Sequence, residues 1–383
     1  MAATNKGGEL GERLLTASLM VRDEAEHLPD CLASLVGVVD EIDIVDTGSV
    51  DDTVAVARAY GARLFHYPWG NSFSAPRNFL LDQARGRWIF VLDADERLRP
   101  ISRSHVEELL ENAEEVGFQV YLHPLPGYTP TLDYRLWRND PRIRFWGDIH
   151  EKVIYALSKV AEADSRPIGI CELTLDHIGY RGDQARKYER NLPLLEAQVA
   201  VEPSNIFNWR HLGQVLIGLG RVEEGERALE QAVARAREIW NEHGGAAWVD
   251  LVRLRHERGM DVTQLLAEGL ARWPRNWALV WIEGQLHLEA GRYQQAIACF
   301  RTLLEVDIAT VPLDGVAFDE RIFGALAQDA LGLALFRIGR YGEADEGYAA
   351  AEPLEPSVRE YGVKRLLAEG RAQQKDGLGR AAR

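Results

Sequence analysis

The sequence contains few cysteines, no long apolar run and fewer basic than acidic residues. Its three cysteines are widely spaced and match no zinc-binding pattern, which favours buried free thiols in a reducing compartment. The apolar runs fall far short of the roughly 20 residues that a membrane-spanning helix needs, and no signal peptide is visible. We therefore expect a cytoplasmic protein. The net charge of −15 argues against a nucleic-acid-binding or anionic-membrane surface, because both need a basic face.

The chain has two regions with different patterns. Its 383 residues, of which 46% are hydrophobic and 27% are charged, suit a globular protein with two domains or more. Strand and helix patterns alternate in the first region, whereas the second region shows helix patterns in pairs. We predict one domain over residues 1–190 and another over residues 191–383.

The first region alternates short apolar segments with segments of helical periodicity. The apolar segments cover residues 14–21, 41–45, 63–66 and 88–92. This alternation is typical of right-handed βαβ units around a mostly parallel sheet. Asp23, Asp46 and Asp93 each fall just past a strand end, so we expect these three ends to define a crevice at one edge of the sheet.

The last of these strands is followed by three carboxylates within four residues. Asp93, Asp95 and Glu96 follow an apolar run that is typical of a strand buried on both faces. Like charges beside a buried strand are unfavourable unless a cation balances them. Because divalent cations take oxygen ligands, this pattern indicates a metal site. A helix cap formed by Asp95 or Glu96 is the alternative.

Four motifs in this region resemble family-two glycosyltransferases of the GT-A fold. They are Val21-Arg22-Asp23-Glu24, Ile44-Val45-Asp46-Thr47-Gly48-Ser49, Ser74-Ala75-Pro76-Arg77-Asn78 and Leu92-Asp93-Ala94-Asp95-Glu96. The resemblance covers about the first half of the chain. It extends to the bacterial branch with lipopolysaccharide-core glucosyltransferases and glycocin peptide S-glycosyltransferases. It implies a Rossmann-like α/β domain that uses a nucleotide sugar, such as a UDP-hexose, as its donor.

The resemblance implies donor-binding roles for several residues. Arg22, Glu24 and Asp46 would lie by the nucleotide base and ribose, where carboxylates accept hydrogen bonds. Arg77 would bind the diphosphate through its guanidinium fork, and Asp93 would face the ribose and the metal. Capping of their own turns is the alternative for Glu24 and Asp46.

The resemblance also implies a metal shell. Asp93 and Asp95 would bind the ion, with Asp95 bridging it to the diphosphate, and His177 would complete the shell at the end of a later strand. The ion would be Mn²⁺ or Mg²⁺, and an imidazole ligand suits Mn²⁺ better. A histidine that is hydrogen-bonded within the domain is the alternative. Lys187 and Arg190 follow on a helix and could reach the diphosphate, although a solvated basic face also explains them.

A third group of residues points to the acceptor side. Residues 134–139 and 142–147 are predicted to form the two arms of a hairpin, followed by Asp148-Ile149-His150-Glu151. In the family that the chain resembles, a Gly-x-x-His-Glu element closes the catalytic site. Glu151 would then be the base that deprotonates the acceptor, with Asp148 as second candidate and His150 orienting it or contacting phosphate. A structural His150–Glu151 pair is the alternative.

The second region matches the tetratricopeptide pattern. Gly213, Gly284 and Gly332 recur with the associated alanines and aromatic residues, and small residues there let paired helices approach closely. The spacing predicts a degenerate repeat over residues 248–274 and an insertion near residues 309–320. Such an all-α solenoid offers a concave surface for a peptide or for a second copy of the chain.

Two functions from different classes follow. In the first, the chain is an inverting, metal-dependent glycosyltransferase that moves a hexose from a nucleotide sugar to a peptide side chain or a natural product. A lipopolysaccharide or saccharide core is the alternative acceptor, and the repeats would recruit the acceptor or form a homodimer. In the second, the repeats are a non-catalytic interaction scaffold and the first domain is inactive.

Overall fold

The computed structural model describes residues 13–179, 185–313 and 316–381 of the chain. The chain divides into two compact units. Unit 1 comprises residues 1–126, 130–204 and 214–222, and unit 2 comprises residues 127–129, 205–213 and 223–383. Each unit has a hydrophobic core of its own.

Unit 1 is built on an eight-stranded mixed sheet. Its strands are β1 (Leu15–Val21), β2 (Glu41–Asp46), β3 (Arg63–His66), β4 (Trp88–Asp93), β5 (Glu96–Leu98), β6 (Gly117–His123), β7 (Thr131–Arg138) and β8 (Ile168–His177). Their order in the sheet is β3-β2-β1-β4-β7-β6-β8-β5. The first four strands in that order are parallel, β7 is antiparallel to both of its neighbours, β6 and β8 are parallel, and β5 is antiparallel to β8. The predicted α/β fold is confirmed.

Within the described residues, six helices lie wholly in unit 1. They are α1 (Leu28–Leu35), α2 (Thr53–Ala59), α3 (Ser74–Leu81), α4 (Arg103–Glu111), α5 (Ile154–Asp164) and α6 (Ala185–Val201). Helix α1 shows why the sequence folds in this way, because Leu28, Cys31, Leu32 and Leu35 recur at helical spacing and are all fully buried in the core.

The register of the central strands sets the position of the functional edge. Met20 pairs with Asp93 across β1 and β4, and Val21 pairs with Asp46 across β1 and β2. Because these strands are parallel, their carboxyl ends meet at the same edge of the sheet. The expected crevice therefore lies where three chain segments leave the sheet side by side.

The predicted hairpin over residues 134–147 is wrong. Residues 134–138 lie in β7, which is hydrogen-bonded to β4 on one side and to β6 on the other. Residues 142–147 form no strand beside it. Both hydrogen-bonding edges of β7 are already occupied at these residues, and the backbone of Phe145 instead pairs with the side chain of Asn78 on α3.

The C-terminal region consists of helices. They are α7 (Ile206–Gly218), α8 (Val222–Glu238), α9 (Glu242–Glu257), α10 (Thr263–Arg272), α11 (Trp277–Glu289), α12 (Tyr293–Leu304), α13 (Ala325–Arg337), α14 (Tyr341–Ala351) and α15 (Glu360–Ala381). The degenerate repeat corresponds to α9 and α10. Two short 3₁₀ helices, Ile308–Thr310 and Glu320–Phe323, lie at the two ends of the segment predicted as an insertion, in which residues 314 and 315 are outside the described residues.

The repeat glycines are needed for close helix packing in unit 2. A Cβ atom on Gly284 of α11 would lie 2.6 Å from the Phe300 ring of α12, and one on Gly332 of α13 would lie 2.7 Å from the Tyr348 ring of α14. These distances are shorter than a carbon–carbon contact allows, so a side chain at either position would force the paired helices apart. The sequence pattern and the helix packing agree.

Cys31 and Cys171 are buried free thiols, and Cys299 is a half-buried one. Among the described residues, no helix combines the length and the apolar character that crossing a membrane requires.

Candidate active site

A cavity of about 360 Å³ lies in unit 1 at the carboxyl edge of the sheet. It is lined by side chains from the ends of three strands, from two helices and from the loop before α5. The charged or imidazole-bearing residues among them are Arg22, Glu24, Arg77, Asp93, Asp95, His150, Glu151, His177, Lys187 and Arg190. Most of the residues that the sequence marks as candidates are thus brought to one place.

Asp95 is buried in this cavity beside two nitrogen-bearing side chains. Its Oδ2 atom lies 3.4 Å from Nε2 of His177 and 3.3 Å from Nζ of Lys187. Burial by itself would raise the pKa of Asp95, but the hydrogen bond with His177 and the charges of His177 and Lys187 bring that pKa below its usual value. In turn, the pKa of His177 is raised, because the bond to Asp95 outweighs the effect of burial.

The strand pairing explains why Asp95 and His177 meet. Glu96 of β5 pairs with His177 of β8, and the amide of Ile178 donates a 2.9 Å hydrogen bond to the carbonyl of Asp95. Gly179 lies directly against Asp95, since a Cβ atom there would be 1.8 Å from the Asp95 Oδ2 atom. A glycine at residue 179 is therefore required for Asp95 to keep this position.

Arg77 connects the end of β4 to the loop before α5. Its Nη2 atom donates a 2.6 Å hydrogen bond to Asp93, and its Nε atom donates a 2.5 Å hydrogen bond to Glu151. The Arg77 and Glu151 side chains are 8% and 13% exposed, so their contact is made largely away from water, whereas the Asp93 side chain is 35% exposed. Burial would raise the pKa of Asp93, but the guanidinium groups of Arg77 and Arg135 lower it well below its usual range.

Arg135 and Glu96 form a second buried ion pair behind the cavity. Arg135 Nη2 lies 2.8 Å from Glu96 Oε1, and the other oxygen of Glu96 accepts a 2.8 Å hydrogen bond from the amide of Asp93. Burial raises the pKa of Glu96 to about 7, although the Arg135 charge opposes this effect. Glu96 therefore holds the Asp93 backbone in place instead of facing the cavity. No local pattern in the sequence indicates this role of Arg135.

Helix α3 holds the loop that carries His150 and Glu151. Ser74 Oγ donates a 2.5 Å hydrogen bond to the carbonyl of Gly147, and the amide of Phe73 donates a 2.9 Å one to the carbonyl of Asp148. Gly147 has a φ angle of 103°, which suits glycine. The first turn of α3 thus fixes the loop backbone, while Arg77 in the same turn binds the Glu151 side chain.

His150 lines the cavity and stays neutral near neutral pH. Burial lowers its pKa to about 4, and the nearby Lys152 charge adds to this effect. Asp148 is exposed and does not line the cavity, although its carbonyl helps to anchor the loop. The geometry therefore favours Glu151 over Asp148 as the residue that meets an acceptor.

The three candidates for base and ribose contacts differ in position. Glu24 is half-buried and lines the cavity, and burial together with the charges of Asp95 and Asp93 raises its pKa to about 7. Arg22 lines the cavity and is exposed. Asp46 does not line it, because its carboxylate accepts hydrogen bonds from Ser49 of its own turn. The capping alternative describes the Asp46 contacts in this structure.

Residues on α6 add positive charge and aromatic contacts. Lys187 and Arg190 both line the cavity. The Arg190 guanidinium lies 5.0 Å from the ring centre of Phe73 and 6.0 Å from that of Trp69. Trp69 and Phe73 also line the cavity, and the sequence does not mark them because they lie in a loop without periodicity.

The ligand set for a metal ion is incomplete within the described residues. No group of three His, Cys, Asp or Glu side chains is arranged there to hold an ion. Asp95 and His177 offer one carboxylate and one imidazole at adjacent positions, which is a donor pair suited to Mn²⁺. Asp93 is engaged by Arg77 and Arg135 in this structure.

Comparison with known families confirms the predicted resemblance. Residues 19–165 match the family described as glycosyl transferase family 2, and residues 281–307 match a tetratricopeptide repeat. The two matches fall in the two regions that the sequence pattern separates.

Curated proteins are also similar to parts of the chain. A TPR repeat-containing protein of Synechococcus elongatus is 36% identical over 237 residues, which cover 60% of this chain and 59% of that protein. Glycosyltransferase SunS of Bacillus subtilis is 24% identical over 57% of this chain and 53% of its own length. Lipopolysaccharide core biosynthesis glycosyltransferase LpsC of Rhizobium meliloti is 36% identical over 30% of this chain and 46% of its own length. The chain thus spans little more than half of the first two relatives.

Solved structures resemble the chain only weakly. Glucosyl-3-phosphoglycerate synthase from Mycobacterium tuberculosis, in complex with Mn²⁺, UDP and glucosyl-3-phosphoglycerate, gives a TM-score of 0.36 at 17% identity, covering 51% of this chain and 84% of that chain.

Proposed function

We propose that this chain, which carries a glycosyl transferase family 2 domain and tetratricopeptide repeats, is an inverting, metal-dependent glycosyltransferase. Its donor would be a nucleotide sugar, most simply a UDP-hexose, bound in the cavity of unit 1. Residues 1–190 would form the transferase domain and residues 191–383 the repeat domain. The observation that carries this proposal is that one cavity contains both the Asp95–His177 pair and the Arg77–Glu151 pair.

The donor diphosphate would be bound by positive charge on α3 and α6. Arg77, Lys187 and Arg190 line the cavity from two helices. A guanidinium matches the planar arrangement of phosphate oxygens, and the first turn of α3 adds the favourable end of the helix dipole. Glu24 and Arg22, which line the same cavity, would contact the nucleoside.

A divalent ion fits the chemistry of the remaining donors. Asp95 and His177 would hold the ion, with Asp93 as a further ligand, and diphosphate oxygens or water would complete its shell. When bound, such an ion supplies electrostatic stabilisation of the leaving diphosphate. Lys187 contacts the same oxygen of Asp95, and its charge adds to the effect of His177 in lowering the pKa of that carboxylate.

Glu151 is suited to accept the acceptor's proton. Its Oε1 atom accepts the hydrogen bond from Arg77, and no hydrogen bond to Oε2 is found within the described part of the chain. The acceptor heteroatom would form its bond to the anomeric carbon as the bond to the diphosphate oxygen breaks. The diphosphate keeps the bonding electrons, and the acceptor's proton passes to Glu151. Attack on the face opposite the leaving group inverts the anomeric configuration.

The acceptor is proposed from the repeats and from the relatives. Tetratricopeptide helices suit a peptide ligand, so a peptide side chain is our first choice. The similarity to LpsC supports a saccharide core as a second choice. The repeats could also pair two copies of the chain.

Release of UDP provides the test. The purified chain is incubated with MnCl₂ and, in separate reactions, with UDP-glucose, UDP-galactose or UDP-N-acetylglucosamine, and free UDP is measured. Hydrolysis is expected with at least one donor and is lost in Asp95→Asn. Asp176→Asn is the matched control, because Asp176 precedes His177 on β8 but pairs outside the cavity with Arg99. If no donor is bound or hydrolysed, the non-catalytic scaffold is favoured instead.

A further inference from the structure

The cavity of unit 1 has an aromatic wall that the proposed donor chemistry does not use. The wall consists of Trp69, in the loop between β3 and α3, and Phe73, the residue before α3. Their rings meet edge to face with centres 4.9 Å apart. Both side chains are half-buried and line the cavity, so part of their surface remains for a ligand there.

The two rings are held in place by neighbouring side chains. Nε1 of Trp69 donates a 3.1 Å hydrogen bond to Oδ1 of Asn71, whose φ angle of 59° lies in the left-handed region that asparagine tolerates. The Arg190 guanidinium packs against both rings, 5.0 Å from the centre of Phe73 and 6.0 Å from that of Trp69. The wall therefore exists before a ligand binds, which lowers the entropic cost of binding.

The wall is attached to the loop that carries the proposed base. The amide of Phe73 donates a 2.9 Å hydrogen bond to the carbonyl of Asp148, which lies three residues before Glu151. In an inverting transfer, the acceptor and its base lie on the face of the anomeric carbon opposite the leaving diphosphate. Because the wall and the base loop are joined by this bond, we expect the wall on the acceptor side of the cavity.

Helix α6 supports the same assignment. Lys187 lies 3.3 Å from Oδ2 of Asp95 in the proposed metal motif, whereas Arg190 packs on the aromatic wall. Three residues advance a helix by about 4.5 Å along its axis. The wall is thus displaced along α6 from the ion that would hold the diphosphate.

Two polar atoms that line the cavity remain for hydrogen bonds with a ligand. Oδ1 of Asn191 accepts a 3.1 Å hydrogen bond from Nε of Arg190, and no hydrogen bond from Nδ2 of Asn191 is found in the part of the chain that the structure describes. Arg77 occupies only the Oε1 atom of Glu151, which leaves Oε2. The cavity therefore combines aromatic surface with one amide donor and one carboxylate acceptor.

A pyranose ring matches this combination. One face of the ring presents C–H groups that pack on an aromatic side chain, while the hydroxyl groups around its edge need both donors and acceptors. We propose that Trp69 and Phe73 bind the terminal sugar ring of the acceptor, with Nδ2 of Asn191 donating to one of its hydroxyl groups. The wall thereby favours a saccharide acceptor over a peptide side chain.

This subsite rests on the transfer proposed for unit 1. A second hydroxyl of the bound ring is the nucleophile. Its oxygen forms the bond to the anomeric carbon, its proton passes to Glu151, and the diphosphate leaves with the bonding electrons.

Saturation-transfer difference NMR tests the subsite with simple probes. The full chain is mixed, with and without MnCl₂ and UDP, with millimolar methyl glycosides of glucose, galactose, mannose and N-acetylglucosamine in both anomeric forms. The peptide acetyl-Gly-Ser-Cys-Gly-amide is tested in parallel. At least one glycoside is expected to receive saturation, strongest at the C–H groups of one ring face, whereas the peptide receives none.

Matched variants assign the signal to the wall. Trp69→Ala should weaken glycoside binding by about tenfold, and Trp69→Phe should retain most of it because a ring remains. Asn191→Ala should weaken binding by about threefold to tenfold through loss of one hydrogen bond. Trp240→Ala changes an exposed tryptophan that does not line the cavity and should bind as the wild type does. Circular dichroism and the thermal midpoint verify that each variant folds.

The donor reaction separates this subsite from the proposed function. In the UDP-release assay, Trp69→Ala should keep the KM of the wild type for the donor, because the wall contacts the acceptor. With a bound glycoside present, a disaccharide product is expected by mass spectrometry, and the KM for that glycoside should rise in Trp69→Ala. If the wild type hydrolyses no donor, the transfer fails, while the NMR results still decide whether the wall binds a sugar.

Four results would overturn the subsite. The first is that no glycoside receives saturation, and the second is that Trp69→Ala binds glycosides as the wild type does. The third is an equal rise of the donor KM in Trp69→Ala, because the wall would then contact the donor. The fourth is saturation of the peptide alone, because the occupant would then be a peptide.

Discussion

The guanidinium of Arg77 joins the Glu151 carboxylate at 2.5 Å, although 74 residues separate them in the sequence. The same guanidinium lies 2.6 Å from Asp93, so a single side chain links the proposed base to the proposed metal motif. The Arg77 and Glu151 side chains are 8% and 13% exposed. Removing one partner of an ion pair so far from water destabilises the folded state, because the other charge is left buried.

Replacement of Arg77 tests this link. Arg77→Gln should lower kcat/KM by about a hundredfold or more, since the proposed electrostatic contact with the leaving diphosphate is lost. It should also lower the free energy of unfolding by about 3–5 kcal/mol, because the buried carboxylate of Glu151 loses its partner, whereas Asp93 keeps Arg135. Steady-state kinetics and urea denaturation measure the two effects. Arg186→Gln, an exposed arginine on α6, is the control, and an equal loss in that variant would contradict the assignment.

Replacement of Gly179 should disturb the proposed metal motif without disturbing the fold. In Gly179→Ala the new Cβ atom would meet Asp95 Oδ2 at 1.8 Å, so the Asp95 carboxylate must move. We expect donor turnover to fall while the fold is retained, as judged by circular dichroism. Gly342→Ala serves as control, because a Cβ atom there meets nothing within 4 Å. Full activity in Gly179→Ala would show that the observed position of Asp95 is not needed.

The pH dependence of the free energy of unfolding should report the protonation of Asp43, a fully buried carboxyl on β2. Burial, with the charge of Glu41, raises its pKa to about 8 despite the nearby Arg63. Since the folded state holds this proton more tightly than the unfolded state does, its contribution to stability is present at low pH. That contribution is lost as the pH rises towards 8.

Urea denaturation between pH 5 and 9 measures this effect. Asp43→Asn should flatten the pH dependence, with the largest difference from the wild type near pH 8 and above. Parallel curves for the wild type and the variant would mean that Asp43 is ionised in the folded protein throughout this range.

The repeat glycines should control the stability of unit 2. Gly284→Ala places a Cβ atom 2.6 Å from the Phe300 ring and should lower the free energy of unfolding by about 1–3 kcal/mol through overpacking. Gly370→Ala on α15, where a Cβ atom meets nothing within 4 Å, should be neutral or slightly stabilising because alanine favours helices. Urea midpoints of the two variants provide the comparison, and equal shifts would contradict close packing at Gly284.

The sequence predicted the parts of the fold that depend on local patterns. The alternating strands and helices of residues 14–92 and the recurring glycines at 284 and 332 mark their elements through periodicity and small residues. Asp93, Asp95 and His177 could be marked because they follow apolar runs. Their roles as ligands stay predictions.

The parts that escaped prediction depend on contacts between distant segments. Arg135 reaches Glu96 only because β7 inserts between β4 and β6, and no local pattern indicates that order. The hairpin prediction failed for the same reason. Residues 142–147 have the composition of a strand, but the side chain of Asn78 takes up the backbone of Phe145. Asp46 is the opposite case. Its carboxylate contacts its own turn, as the capping alternative drawn from the local sequence describes.

Binding of Mn²⁺ measured by electron paramagnetic resonance tests the account most directly. Free Mn²⁺ gives a strong signal that is lost on binding, so the chain is titrated with MnCl₂ in the presence and absence of UDP. The account predicts that UDP tightens Mn²⁺ binding to the wild type, and that Asp95→Asn and His177→Ala each weaken it by about tenfold or more. Asp176→Asn should behave as the wild type. Equal Mn²⁺ binding by all four proteins, or no binding with UDP present, would contradict the proposal that Asp95 and His177 hold the ion that binds the donor diphosphate.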